Sequence, residues 1–355
     1  MNNTNQQFDV VISGGGLSGS LLALSLSQLK KTNGDLLSIA IIEATTYTGA
    51  TTSTNTSLDN KKLSSLFDNR VLALSHGSAN YLTKLGVWPL LEGQACAIND
   101  IDISDRGHLG KARLNANDQG VNALGYVIDM AFIGQAQLKL LAQYNNITWF
   151  SPDTISDIEW RNQSSPADAV TLSTSANPAN TTNSANSTNS TNSTNSANST
   201  SSANPANSFN ESENSQITVK LSSGQILKTS LLLGCDGAQS PCRQLANIAV
   251  HKNEYNQSAL ITNVATEKAH ANKAFERFTK FGPIAMLPLN SINNQQVGEG
   301  RCSLVWTMPP EQAEKMASLD EDAFKIELEL AFGHWLGAIT QVGKRDVYPL
   351  ILLQA

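Results

Sequence analysis

Strong charge is scarce in this chain. Asp, Glu, Lys and Arg make up 15% of its 355 residues, and the formal net charge is −6. There is no basic footprint for nucleic acid and no Lys/Arg run of the kind that grips anionic lipid, so no nucleic-acid partner is expected. Cysteine is sparse too. Cys96, Cys235, Cys242 and Cys302 form no C-x-x-C pair and have no nearby histidine partners, which predicts reduced packing residues in a cytoplasmic protein. The five histidines, His76, His108, His251, His270 and His334, show no H-x-x-x-H or H-E-x-x-H spacing, and no metal site is predicted. No apolar run approaches the ~20 residues needed to span a bilayer. The opening MNNTNQQFDV lacks the basic and apolar regions of an export signal, so the chain is expected to be neither exported nor membrane-spanning.

What is present supports two lobes. A hydrophobic fraction of 40% is enough for a core once one atypical segment is set aside. From about Ser173 to Gln216 the sequence collapses into Asn, Ser, Thr and Ala, with the near-repeat NSTNSTNSAN. Such a stretch cannot bury enough surface to offset its ordering entropy and is expected to be disordered. Ala169–Leu172 before it and Ile217–Leu221 after it both alternate, and the turn Ser222-Ser223-Gly224 leads into a further run, Ile226–Leu233. The insert therefore reads as an overgrown hairpin tip. Helical spacing is predicted over Arg70–Leu91 and Ile133–Tyr144, and a strand over Ile98–Ser104. After Arg243 the texture turns β-rich, with strands expected at Ser258–Thr266, Phe275–Thr279, Ile284–Leu289 and Cys302–Thr307. A late helix to Phe332 is expected to be N-capped by Asp320.

The stretch Phe8 to Glu43 reads as strand, glycine turn, helix, strand and terminal acid. Val10-Val11-Ile12 stops at Gly14-Gly15-Gly16, and Leu17–Leu29 then carries helical apolar spacing. Gly14, Gly16 and Gly19 fit G-x-G-x-x-G: one for the tight turn, one for backbone approach to a pyrophosphate, one for helix-on-sheet packing. The helix N-terminus offers unpaired N–H groups to phosphates. Glu43, ending the strand Ser38–Ile42, stands where a carboxylate can accept from ribose hydroxyls. A glycine triplet alone can be only a turn; the strand, helix and acid around it make a dinucleotide site the stronger reading.

A second motif follows the apolar run Leu231-Leu232-Leu233: Asp236-Gly237-Ala238-Gln239-Ser240-Pro241-Cys242-Arg243, or D-G-x-x-S-x-x-R. Together with the βαβ unit it resembles the flavoprotein aromatic hydroxylases of the p-hydroxybenzoate hydroxylase class. Phe67-Asp68-Asn69-Arg70, Ser104-Asp105-Arg106-Gly107, Phe275-Glu276-Arg277-Phe278, Gly282–Pro288 and Gly300–Trp306 narrow the resemblance to the ubiquinone-biosynthesis FAD-dependent monooxygenases. It covers Phe8 to about Leu350 apart from the insert.

The resemblance implies an α/β protein: a Rossmann-like FAD-binding domain, with a ββα-type sheet and a three-stranded meander, plus a mixed β-sheet substrate domain. It implies the boundaries 1–95, 127–172 and 217–250 for the FAD-binding domain, 96–126 and 251–355 for the substrate sheet, and 173–216 for the insert. Gly14, Gly16, Gly19 and Glu43 would hold the ADP half, Arg70 would approach the flavin, and Asp236 with Gly237 would meet the pyrophosphate. Gln135, on a helix returning to the cofactor lobe, is a further candidate. The implied reaction uses FAD, with NAD(P)H as co-substrate and O2, to hydroxylate a prenylated phenol, a polyprenyl-methoxyphenol of ubiquinone biosynthesis. Its partners would include that small aromatic substrate and, through it, a peripheral contact with the membrane or a ubiquinone-biosynthesis complex. No side chain declares itself as a catalytic acid or base. Pro288 and Trp306 could line a prenyl pocket or simply pack in the core, and Arg277 could meet a phenolate or face solvent. The family carries a third flavin motif beyond a Tyr-Pro-Leu segment, whereas this sequence ends at Ala355, so a C-terminally truncated copy is expected. Two alternatives stay open: a flavin hydroxylase of another aromatic substrate, and a non-catalytic remnant that binds FAD or ADP.

Overall fold

The computed structural model describes residues 6–46, 70–160, 216–291 and 299–355. The expected strand 169–172, the low-complexity segment up to residue 215 and residues 67–69 lie outside the described residues. In chain order the first elements are β1 (Gln6–Ser13), α1 (Leu17–Ser27), β2 (Ile39–Ile42), β3 (Val71–Ser75), α2 (His76–Lys84), β4 (Cys96–Ile98) and β5 (Asp100–Asp105). Next come β6 (Lys111–Asn115), β7 (Gly125–Asp129), α3 (Met130–Leu141), β8 (Ile147–Phe150), β9 (Ile155–Glu159), β10 (Ile217–Leu221), β11 (Ile226–Gly234) and α4 (Pro241–Leu245). The rest are β12 (His251–Thr266), β13 (Lys273–Phe278), β14 (Pro283–Leu289), β15 (Gly300–Met308), α5 (Pro310–Ser318), α6 (Glu321–Phe332), β16 (Ile339–Val342) and β17 (Asp346–Gln354).

A six-stranded sheet has the order β8-β2-β1-β11-β10-β9. β8, β2, β1 and β11 run parallel, while β11, β10 and β9 form an antiparallel three-stranded meander. Both faces are covered, which is why β2 reads Ile-Ala-Ile-Ile with no polar residue. Val10, Ile12, Ile39 and Ile41 pack toward Leu24 of α1 and Leu138 and Leu141 of α3. Val11, Ala40 and Ile42 face the other core, with Phe150, Val219 and Leu227. Helix α1 lies close to the sheet because its buried positions include Gly19, Ser20, Ala23 and Ser27, all small. The connection into β2 is clasped by Asp9, whose carboxylate accepts the Ser38 N–H and hydroxyl at 2.7 Å each and pairs with Lys31 at 3.1 Å. Partial burial would raise its pKa, but the hydrogen bonds from Ser38 and Lys31 outweigh that and hold it below the usual carboxylate range.

The larger mixed sheet runs β16-β12-β15-β14-β13-β5-β6, with β17 also paired to β12. Its pleat separates two tasks. Leu260, Val264, Ile284, Met286, Leu304 and Trp306 point into a core closed by Phe324, Leu328 and Phe332 of α6. Ile261, Asn263 and Ser303, one residue out of phase, line a cavity on the other side. The expected cap of α6 is present: Asp320 Oδ1 accepts the Ala323 N–H at 2.8 Å. A small sheet, β3-β7-β4, completes the set, and its Ile98 and Val127 pack with Ala274 and Leu289 of the large sheet.

Three expectations change. The helix predicted over Arg70–Leu91 begins only at His76, because Val71–Ser75 is a strand paired with β7, Val71 opposite Asp129. The helix predicted from Ile133 starts at Met130. β10 finds its antiparallel neighbour in β9, with Val219 opposite Ile158.

His270 ties the large sheet to the turn before β13. Its Nδ1 accepts the Asn272 N–H at 3.0 Å, so Nε2 carries the proton and donates to the Leu289 carbonyl at 3.0 Å. Burial favours this neutral form and lowers the pKa, against the opposing pull of the Leu289 bond. The unfolded chain then binds the proton more readily than the folded one. Stability from His270 is therefore complete above about pH 6.5 and erodes as pH falls through that value toward the folded pKa. Urea midpoints measured at pH 7.5 and 5.5 should show this loss, and His270→Gln should flatten that part of the profile.

Candidate cofactor and substrate site

The parallel strands bring three loops out side by side. Ser13 is opposite both Ile42 of β2 and Gly234 of β11, so the glycine turn, Glu43 and Asp236 emerge together at the carboxyl edge of the sheet. That edge is where open α/β sheets place their ligands. Gly14 takes φ +98°, and a Cβ there would run into the Cys235 carbonyl and lie 2.8 Å from Asp236 Cα. A Cβ on Gly19 would collide with the Gly14 carbonyl oxygen, so Gly19 lets α1 start directly against the turn. Gly16 differs: a Cβ there would have nothing within 4 Å. It is the position open to an approaching ligand. No acidic residue lies in the first turn of α1 and no side chain caps it, which leaves the positive end of the helix dipole available.

Glu43 is buried and faces inward. Its Oε2 accepts the Gly15 N–H at 2.7 Å, while Oε1 accepts the Thr45 N–H at 2.9 Å and hydroxyl at 2.8 Å. It braces the glycine turn from below, and its oxygens retain lone pairs for a hydroxyl donor. Asp236 locks the neighbouring loop: Oδ2 accepts the Ser13 hydroxyl at 3.2 Å and the Cys242 N–H at 3.0 Å. Its Oδ1 is buried with no protein partner. A buried carboxylate oxygen without a partner stands out, because such atoms are nearly always hydrogen-bonded. Gly237 is exposed next to it. Gly15, Ser13 and Thr45 also take part; the middle one of three consecutive glycines is the sequence signal for the first of them.

The thiols nearby take no part. Burial first, then the Asp236 carboxylate, raises both Cys235 and Cys242, the latter to about 11. Cys96 is pushed to about 11 and Cys302 to about 12 by burial. All four are free and stay protonated near neutral pH, in keeping with packing roles.

Arg70 stands apart from the glycine turn. It lines a cavity of about 470 Å³ with Val71, Ile261–Asn263, Ser303 and the stretch carrying Lys344, Asp346 and Tyr348. Its guanidinium lies 5.2 Å from the Tyr348 ring centroid. Ser303 is 1% exposed, and its Oγ has no partner. Lys344 pairs with Asp346 at 2.6 Å, which raises its pKa. Asp129, opposite Val71, was not anticipated; burial raises its carboxyl pKa while Arg301 pulls the other way. Gln135 is half-buried on α3 and lines neither the Arg70 cavity nor the cavity beside α1. Gln137, two residues on, is buried with its Oε1 unpartnered and borders the second cavity, of about 590 Å³, beside α1. Trp306 packs in the core against Phe324, and Arg277 lies over the Trp335 ring.

No family model matches the chain. Its sequence is 27% identical over 348 residues to the ubiquinone hydroxylase UbiL of Rhodospirillum rubrum, covering 98% of this chain and 62% of that protein. It is 26% identical over 332 residues to the mitochondrial ubiquinone biosynthesis monooxygenase COQ6 of Caenorhabditis elegans, covering 93% of this chain and 58% of that protein. In sequence the chain resembles ubiquinone-biosynthesis monooxygenases. It spans less than two thirds of the length of either relative. Among solved structures it resembles PqsL of Pseudomonas aeruginosa, described as "a probable FAD-dependent monooxygenase", with a TM-score of 0.61, 15% identity, and coverage of 97% of this chain and 74% of that one. The Rossmann-like six-stranded sheet and the larger mixed sheet are thus shared with that structure.

The glycines separate by role. Gly19→Ala should abolish cooperative unfolding or lower the melting temperature by roughly five degrees, the shift that about 3 kcal/mol produces in a chain of this size. Gly16→Ala, with room for its methyl group, should melt like the unsubstituted chain. Thermal denaturation followed by circular dichroism distinguishes them.

Proposed function

We propose that the chain belongs to an FAD-dependent aromatic hydroxylase that uses NAD(P)H and O2 to hydroxylate a polyprenyl-methoxyphenol in ubiquinone biosynthesis. The observation that carries this reading is the pairing of the open α1 terminus at Gly16 with the orphaned Asp236 Oδ1. The residues present fit a dinucleotide. The backbone at Gly14–Gly16 and Gly237 would receive the pyrophosphate, Glu43 the adenosine ribose, and Asp236 Oδ1 a hydroxyl. Arg70 would face the flavin side. Bound FAD, reduced by NAD(P)H, supplies the oxygen activation that no side chain provides.

The protein's share is orientation and electrostatics. Ser303 Oγ, buried and unpartnered, would hold the phenol oxygen, with Asn263 beside it on the same face of the sheet. Arg70 and Lys344 line the same cavity and favour phenolate over phenol. Phenolate character activates the ring carbon para to it. A prenylated substrate partitions into lipid, so this reading puts a cytoplasmic enzyme at a membrane surface or in a ubiquinone-biosynthesis complex. No helix among the described residues is long and apolar enough to cross a membrane.

The test begins with FAD titration of the purified chain, followed by gel filtration. Retention of a flavin spectrum, weakened roughly tenfold by Gly16→Ala, supports the cradle; an unchanged affinity in that variant counts against it. Ser303→Ala should leave FAD retention unaltered and raise KM for a prenylphenol roughly three- to tenfold, the scale of one hydrogen bond. A prenylphenol that never stimulates NAD(P)H oxidation by FAD-loaded protein would refute the substrate assignment.

A further inference from the structure

Two turns at one end of the large sheet meet in space although 170 residues separate them in sequence. β5 and β13 pair in parallel with Asp105 opposite Phe278, and the Arg106 N–H donates to the Phe278 carbonyl at 2.9 Å. The turns that follow these strands, residues 105–111 and 279–282, therefore leave the sheet side by side. Their apolar side chains face outward. Leu109 is 104% exposed, Phe278 46% and Phe281 45%. Scattered apolar residues on a surface are ordinary, but three of them on two adjoining turns are not scattered.

The rim is cationic. Within the two turns Arg106, Lys111 and Lys280 stand against one carboxylate, Asp105, which is engaged by His108 at 2.8 Å. This is a local positive excess in a chain of net charge −6. No basic run in the sequence announces it, because strand register assembles it. The base is held firmly. Lys111 and Arg277 lie 5.2 and 5.0 Å from the Trp335 ring centroid, and Trp335 itself packs on Phe275 and Phe332. In the second turn, the Thr279 N–H and hydroxyl both reach the Gly282 carbonyl, at 3.1 and 2.6 Å, and the Phe281 N–H donates to Thr279 Oγ1 at 3.3 Å. Phe281 is thus presented on a braced turn.

We propose that these paired turns dock the protein on an anionic phospholipid surface, with Leu109, Phe278 and Phe281 entering the headgroup–acyl boundary and Arg106 and Lys280 meeting lipid phosphates. Apolar tips rimmed by cations match the two driving forces of interfacial binding. The cationic rim around exposed apolar tips is complementary to a negatively charged lipid surface. The proposal specifies the surface for the membrane contact put forward above, but it rests on these residues and not on the identity of the substrate.

Co-sedimentation with vesicles tests it without any turnover. The purified chain should pellet with phosphatidylcholine vesicles containing phosphatidylglycerol and stay in solution with phosphatidylcholine alone. Binding should weaken as salt shortens the Debye length. Arg106→Gln and Lys280→Gln should each weaken partition roughly fivefold, the contribution of one cation near an anionic surface. The exposed substitutions Leu109→Ser and Phe281→Ser should do so with unchanged melting temperature and FAD titration. Equal partition onto neutral and anionic vesicles, or variants that bind like the unsubstituted chain, would overturn the proposal. So would capture by the same turns of a protein partner in the absence of lipid. Any of these results leaves the FAD reading standing, and loss of FAD binding leaves the vesicle result interpretable.

Discussion

The close approach of α1 to the end of β1 is the constraint on which the six-stranded sheet's carboxyl edge depends. A helix can begin there only if residue 19 has no side chain, because the Gly14 carbonyl occupies that space, and Gly14 in turn has none because the Cys235–Asp236 backbone occupies the other side. Two sequence-distant loops are thereby pressed against one turn. The Cys235 N–H to Ser13 carbonyl bond at 2.6 Å and the Ser13–Asp236 bond continue the ladder beyond the strands and bring the two loops into register. Glu43 closes the third side through Gly15. The polar geometry at the sheet edge follows from steric exclusion first and hydrogen bonding second.

The larger sheet divides its labour by the pleat. Along β12 and β15 one set of alternating residues anchors α6, so the sheet is stiff, and the other set faces a cavity, where Ser303 and Asn263 can meet a ligand. Rigid backing behind a ligand-facing surface limits how far those polar atoms can drift. Arg70 enters the same space from the small sheet, and its position is tied to α3 because its carbonyl accepts the Met130 N–H at 2.9 Å.

Local signals carried much of this in the sequence. The βαβ unit was legible because glycine, helix spacing and terminal acid fall within one short stretch, and the Asp-Gly turn was legible as an apolar strand with a stop. The late strands were visible as alternation, and Asp320 as a cap. What failed was pairing at long range. Val71 and Leu74 suit a helical stripe as well as a strand, and only β7, more than fifty residues later, decides between them. α5 begins Pro310-Glu311 behind a Pro309 N-cap, a start signal overshadowed by the strand directly before it. Ser303 and Gln137 are ordinary residues in apolar stretches, and nothing but packing reveals that their polar atoms lack partners. The cationic rim at the paired turns was hidden for the same reason: its halves are 170 residues apart and meet only through register.

The long Asn/Ser/Thr/Ala segment leaves the sheet after Glu159 and returns at Ile217, and Glu159 stands directly opposite Thr218 in the β9–β10 ladder. Its two ends are therefore anchored to adjacent positions whatever lies between them. The entropy of closing such a loop grows only with the logarithm of its length, about 0.6 kcal/mol for each doubling. A change in the length of the chain between these ends is therefore nearly invisible to the stability of the sheet. The same indifference makes the β9–β10 junction a permissive acceptor for an inserted reporter or a new pair of chain termini.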